Sequence, residues 1–113
     1  LALRRLDPFG WNEAAVVHAP TGTLYVPDIL GTAGGSTVGR EEVGLMVIAR
    51  LTPPREALGD LAPARLLTGH GTGIHEGAAA ALRDAVENGR RRLPRALVEC
   101  GPTQVRAMLG ALR

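Results

Sequence analysis

The sequence predicts an α/β fold, and two observations carry that reading. The first is a hairpin pattern between 13 and 27, in which "EAAVVHA" and "TLYVP" flank the turn "APTG". The second is the short apolar run "RLLTG" at 65 to 69, which passes through glycines and histidines into an alanine-rich helical pattern. A chain of 113 residues with 45% hydrophobic and 21% charged side chains suits one soluble globular domain with a modest core.

The elements follow in order. "LALRRL" at 1 to 6 reads as a strand, and Asp7, Pro8 and Gly10 supply a turn before the strand that begins at 13. "APTG" at 19 to 22 turns the chain into "TLYVP" at 23 to 27, rich in β-branched and aromatic residues, and Asp28 lies just beyond that strand's C-terminal end. "GTAGGSTVGRE" at 31 to 41 is a glycine-rich polar loop. "EEVGLMVIARL" at 41 to 51 is predicted as a short helix, and 54 to 59 as a helical turn after Pro53 and Pro54. "RLLTG" is then a buried strand. In the helix that follows, Ile74, Ala78, Leu82, Ala85 and Leu93 recur near one face. Gly73 serves as its N-cap, with Glu76 at the third helical position, and Pro94 ends it. "GPTQVRAMLGALR" at 101 to 113 closes the chain as a short amphipathic helix with Pro102 in its first turn.

Composition excludes some classes of function. All 13 basic residues are arginine, which reads as coding bias, and the net charge is only +2. The one dense basic run, Arg90 to Arg92 with Arg95 nearby, falls at a helix end where it complements the helix dipole. With three aromatics, Phe9, Trp11 and Tyr25, there is no platform for stacking bases, so nucleic-acid binding is not expected. No apolar stretch is long enough for a membrane span. The single cysteine, Cys100, rules out an internal disulfide and points to a reducing, cytoplasmic compartment. The chain opens on Leu1 rather than Met and directly in a strand pattern, which suggests a piece of a longer protein.

The segment "GHGTGIHEG" at 69 to 77 raises the question of chemistry. Glycines between a strand and a helix can cradle phosphate, but Ile74 and Glu76 stand where further glycines would be needed. The carboxylate would also repel a phosphate, and no lysine follows for a Walker-type loop. Metal is the better reading, since imidazole and carboxylate are both zinc ligands. If the strands that end at Asp28 and at His70 are parallel neighbours, both groups project from the same end of the sheet. Each also has a plain structural reading: His70 bonding to loop backbone at a strand end, and Asp28 closing a turn after Pro27. His75 reads as a first-turn helix residue facing solvent, and His18 as a strand residue beside the hairpin turn.

The order "EAAVVHAPTGTLYVPDIL", a variable loop, then "LAPARLLTGHGTGIHEGAAAALRDA" resembles the C-terminal half of a metallo-β-lactamase-fold protein. The resemblance spans about residues 7 to 93. It implies a mixed sheet with helices packed on it, half of an αββα sandwich. It also implies that Asp28 matches the family's metal-bridging aspartate and His70 its last histidine ligand, holding zinc or another divalent metal. The family's H-x-H-x-D-H motif belongs to the other half and has no match in this sequence. Where the family carries a histidine before the hairpin, this chain has "DPFGWNE", in which Asp7 is a weaker candidate ligand.

Two functions compete. In one, the chain is the C-terminal portion of a metal-dependent hydrolase that works only with the missing half; in the other, it is a scaffold whose ligands have decayed, used for binding or assembly. Either way, a half-sandwich leaves a sheet edge and face uncovered, so self-association or pairing with an N-terminal half is expected.

Overall fold

The computed structural model describes residues 1–7 and 11–111. The turn expected at Pro8 and Gly10, Phe9 and the last two residues of the C-terminal helix expectation lie outside the described residues.

Four strands form a mixed sheet in the order β1-β2-β3-β6. β1 (Ala2–Leu6) pairs antiparallel with β2 (Glu13–His18), Leu3 opposite Val16 and Leu6 opposite Glu13. β2 pairs antiparallel with β3 (Thr23–Val26), and β3 lies parallel to β6 (Arg65–Thr68) with Val26 opposite Thr68. A single 3-10 turn, Ala19–Thr21, joins β2 to β3, with Pro20 in its first positions. Gly22 closes it at φ 64°, its amide donating to the Ala19 carbonyl at 3.1 Å, a left-handed conformation that glycine adopts without strain.

The crossover from β3 to β6 carries a small second sheet and two short helices. β4 (Leu30–Gly31) pairs antiparallel with β5 (Gly44–Leu45), followed by α1 (Val47–Leu51) and α2 (Arg55–Leu58). The helix expected over 41 to 51 is therefore corrected to a strand and a one-turn helix. Close approach explains it: a Cβ on Gly44 would run into the Ser36 carbonyl oxygen, and Leu45 is drawn into pairing with Leu30.

α3 (Ala78–Asn88), α4 (Leu93–Glu99) and α5 (Gly101–Ala111) complete the chain. Two expectations about α3 are overturned. Its N-cap is Gly77, at φ 68°, and not Gly73. The reason is a bridge between Ile74 and Leu66, with Leu66 N–H to Ile74 O at 2.9 Å and Ile74 N–H to Leu66 O at 2.8 Å. That bridge holds the chain extended along the free side of β6, so Ile74, His75 and Glu76 precede the helix. Nor does Pro94 end it: α3 stops at Asn88, and Pro94 sits in the first turn of α4, where no intrahelical donor is needed.

One face of the sheet supplies the core. Leu6, Ala15, Leu24, Val26 and Leu66 meet Ala78, Leu82, Ala85 and Val86 of α3, spaced to form one stripe. Alanine at two of those four helix positions lets the backbone approach the sheet closely. Ile29, Leu30, Leu45, Ala49 and Leu58 of the crossover fill the remainder. Among the described residues the opposite face is largely exposed. Leu3, Val16, Tyr25 and Leu67 stand in one register row across all four strands, with Leu3 72% exposed, Tyr25 38% and Leu67 37%. Among the described residues no helix is long and apolar enough to cross a membrane.

Candidate functional site

The parallel pairing of β3 and β6 aligns their C-terminal ends, and the chain passes two residues further on each side before turning. Gly69 N–H donates to the Pro27 carbonyl at 2.9 Å, which draws the two overhangs together. Asp28 and His70 emerge side by side, with His70 Nε2 2.8 Å from Asp28 Oδ1. Their side chains are about half exposed, 48% and 53%, so the pair is both fixed and reachable from solvent. The juxtaposition that the sequence made conditional on parallel strands is present.

The glycines around His70 are explained by close packing. A Cβ on Gly69 would stand 2.6 Å from the Pro27 carbonyl oxygen. Gly71 has φ 97°, and a Cβ there would lie 2.6 Å from the Ala33 amide nitrogen and closer still to the Thr32 hydroxyl. Both positions exclude a side chain. Between them the His70 carbonyl accepts the Thr32 amide at 2.8 Å and the Thr68 hydroxyl at 2.8 Å. The Thr32 hydroxyl reaches the Thr72 carbonyl at 2.6 Å. The backbone bearing the imidazole is thereby tied to β6 and to the segment after β4.

Glu13 supports the other partner. Its carboxylate accepts the Ile29 amide at 3.0 Å and the Trp11 indole N–H at 3.1 Å, anchoring the residue next to Asp28. Sequence reasoning missed this role. The available signal is parity, because Glu13 shares the core-facing register of β2 with buried Ala15, an unusual place for an acid without a partner.

Asp28 and His70 open onto a cleft of about 390 Å³ whose walls include Trp11, Ser36, Met46 and the Thr103, Gln104, Ala107 and Met108 face of α5. Gln104 pins that helix in place: its Oε1 accepts the Val47 amide at 2.7 Å and its Nε2 donates to the Gly35 carbonyl at 3.1 Å.

Asp7 is exposed just past the end of β1. His18 ends β2 with Nδ1 2.7 Å from the Thr21 hydroxyl, and His75 is exposed in the loop before α3. Among the described residues no group of three or more His, Cys, Asp or Glu gathers to hold a metal. Cys100 is buried with its Sγ 3.5 Å from the Thr37 carbonyl, and burial pushes its thiol above the ordinary range.

A second polar cluster is structural. Arg50, fully buried, donates to both Glu41 carboxylate oxygens and to the carbonyls of Leu45, Gly89 and Ser36. Arg92 bridges Glu41 and Asp84 at 2.8–3.0 Å, so it serves an ion-pair network rather than the dipole of a helix end. Among the described residues no buried side-chain nitrogen or oxygen lacks a partner. The network ties the loop before β5 to the α3–α4 junction, and all five Arg50 donors are spent within it.

Comparison with protein-family models, with curated proteins and with solved structures found no match to this chain. Its function is therefore read from the residues. An imidazole and a carboxylate held at contact distance can share a proton or, once the bridging proton leaves, a divalent cation.

Proposed function

We propose that this chain is the C-terminal portion of a metallo-β-lactamase-like, metal-dependent hydrolase, with Asp28 and His70 providing two ligands of a zinc or similar divalent ion. The observation that supports this reading is the 2.8 Å contact between His70 Nε2 and Asp28 Oδ1 at the aligned ends of two parallel strands. The donor types fit zinc: one imidazole nitrogen and one carboxylate oxygen, half exposed beside a cleft. The set is incomplete among the described residues, so in this reading the remaining ligands come from polypeptide beyond this chain. Zinc, when bound, supplies a hydroxide nucleophile near neutral pH and polarises the scissile group. The chain's own residues orient the ligands. Thr32 and Thr68 hold the backbone of His70, and Glu13 holds the segment carrying Asp28. These bonds fix the backbone that carries each side chain.

Zinc titration followed by imidazole ¹⁵N resonances tests the assignment, because His18 and His75 are internal controls. The expected outcome is a shift at His70 Nε2 that is selective for that residue and absent in Asp28→Ala. An equal response at all three histidines overturns it.

A second reading is a decayed scaffold without catalysis, favoured by the incomplete donor set and by "DPFGWNE" where the resemblance leads one to expect a histidine. Asp28 and His70 then act as a clamp between strand ends. In that case Asp28→Ala lowers Tm and leaves the zinc response unchanged.

A further inference from the structure

The geometry points to a ligand class for the cleft beside Asp28 and His70: a neutral molecule whose apolar alkyl or aryl group lies along α5, with its polar end at His70. Only the placement of the polar end rests on the metal-site reading above.

Three features carry the inference. The walls that run away from His70 are apolar, formed by Trp11, Met46, Ala107 and Met108. Gln104, the wall's amide side chain, is uncharged and is engaged at both ends, its carbonyl oxygen accepting from Val47 and its amide nitrogen donating to Gly35, so it supplies no charge to balance a ligand's. Among the described residues no arginine lines the cleft, and the chain has no lysine, so in the zinc-free protein a phosphate or carboxylate would meet no arginine or lysine there and would face Asp28. Burying an unpaired charge against such walls is strongly unfavourable. A neutral ester or amide with a hydrocarbon arm meets none of these penalties.

The size agrees. At 390 Å³ the cleft sits near the lower end of small-molecule sites, with room for roughly a dozen non-hydrogen atoms at the ~30 Å³ each that a water occupies in the liquid. The cleft wall is also held in shape before any ligand arrives, because the two Gln104 hydrogen bonds fix α5 against the first residue of α1, Val47, and against Gly35 in the 33–36 loop.

Trp11 is the chain's only tryptophan and lines the cleft, so its emission reports occupancy directly. Methyl hexanoate and sodium hexanoate are titrated at neutral pH, with and without zinc. The expected result is saturable change with methyl hexanoate and at least tenfold weaker binding of the hexanoate anion in zinc-free protein. Met108→Glu and Ala107→Trp, both on exposed positions of α5, are expected to weaken methyl hexanoate binding at least tenfold with an unchanged thermal transition. No saturation with methyl hexanoate, equal affinity for both probes, or unchanged affinity in both variants overturns the inference. Saturation without a zinc response at His70 upholds it while the metal reading falls; a zinc response without saturation does the reverse.

Discussion

Arg50 and Glu41 meet as an ion pair with both side chains wholly excluded from solvent, Nη2 to Oε1 at 2.7 Å. Burial pushes the Glu41 carboxyl up, but the Arg50 hydrogen bond, the Val38 amide, the Arg50 charge and the Arg92 bond together outweigh it and hold the group below its ordinary 4.5. A group depressed in the folded state stabilises fully above its unfolded value. The contribution is lost as pH falls through the folded value. Unfolding free energy should therefore be flat in this respect above about pH 4.5 and decline below it in the native chain. Urea unfolding across pH 3 to 7 measures this, and Glu41→Gln should flatten that decline.

Removing one partner of that pair leaves the other buried and uncompensated. Arg50→Ala is expected to cost about 3–5 kcal/mol, because Glu41 and the carbonyls of Leu45, Ser36 and Gly89 all lose a donor. Asp84 provides the contrast. The Arg92 hydrogen bond lowers its carboxyl, yet its side chain is 38% exposed, so water screens the pair. Asp84→Asn should cost only about 0–1 kcal/mol. Comparable losses in the two variants would contradict the burial argument.

Two glycines with positive φ differ in what surrounds them. Gly77→Ala meets open space and carries only the left-handed penalty, about 1–2 kcal/mol. Gly71→Ala must in addition displace the Ala33 backbone and the Thr32 hydroxyl, and so it should destabilise more than Gly77→Ala and disturb the His70 resonances. Thermal melts and NMR of the two variants separate these cases.

The largely exposed face of the sheet predicts association. The register row of Leu3, Val16, Tyr25 and Leu67 presents apolar surface beside an open β1 edge. Sedimentation velocity of the chain should show concentration-dependent association that Leu3→Arg reduces. A monodisperse monomer at all concentrations would sink this expectation.

Cys100 should behave as an inert thiol in the folded chain, since it is buried and its proton is held tightly. Ellman's reagent is expected to label it only at the rate of unfolding. Immediate labelling under native conditions would show that α4 and α5 open locally.

The four strands of the main sheet were legible because each depends on a local pattern, whereas β4 and β5 exist only through their pairing with each other. "EAAVVHA", the turn at Pro20 and Gly22, and "TLYVP" specify a hairpin through alternation and turn chemistry, and the observed β2 and β3 fall within those bounds. "RLLTG" holds β6 for a similar reason. The start of α3 was misread because Gly73 and Glu76 do make a local helix-start signal. What overrides it is the pairing of Ile74 with Leu66, which satisfies two backbone groups and covers the edge of β6. The loop glycines at 69 and 71 looked like punctuation or a phosphate cradle. Their reason is contact with Pro27, Thr32 and Ala33, residues about forty positions earlier.

By itself, then, the sequence determined the α/β class, the hairpin, the βα unit and the two strand-end residues Asp28 and His70, all consequences of propensity and periodicity within a few residues. Only the tertiary structure decided that those residues touch, that Glu13 braces one of them, that Arg50 finds Glu41 in the core, and that α5 walls a cleft beside the pair. Each of these joins segments distant in the chain. Their energies come from burial and hydrogen-bond satisfaction, which exist only once the layers have packed.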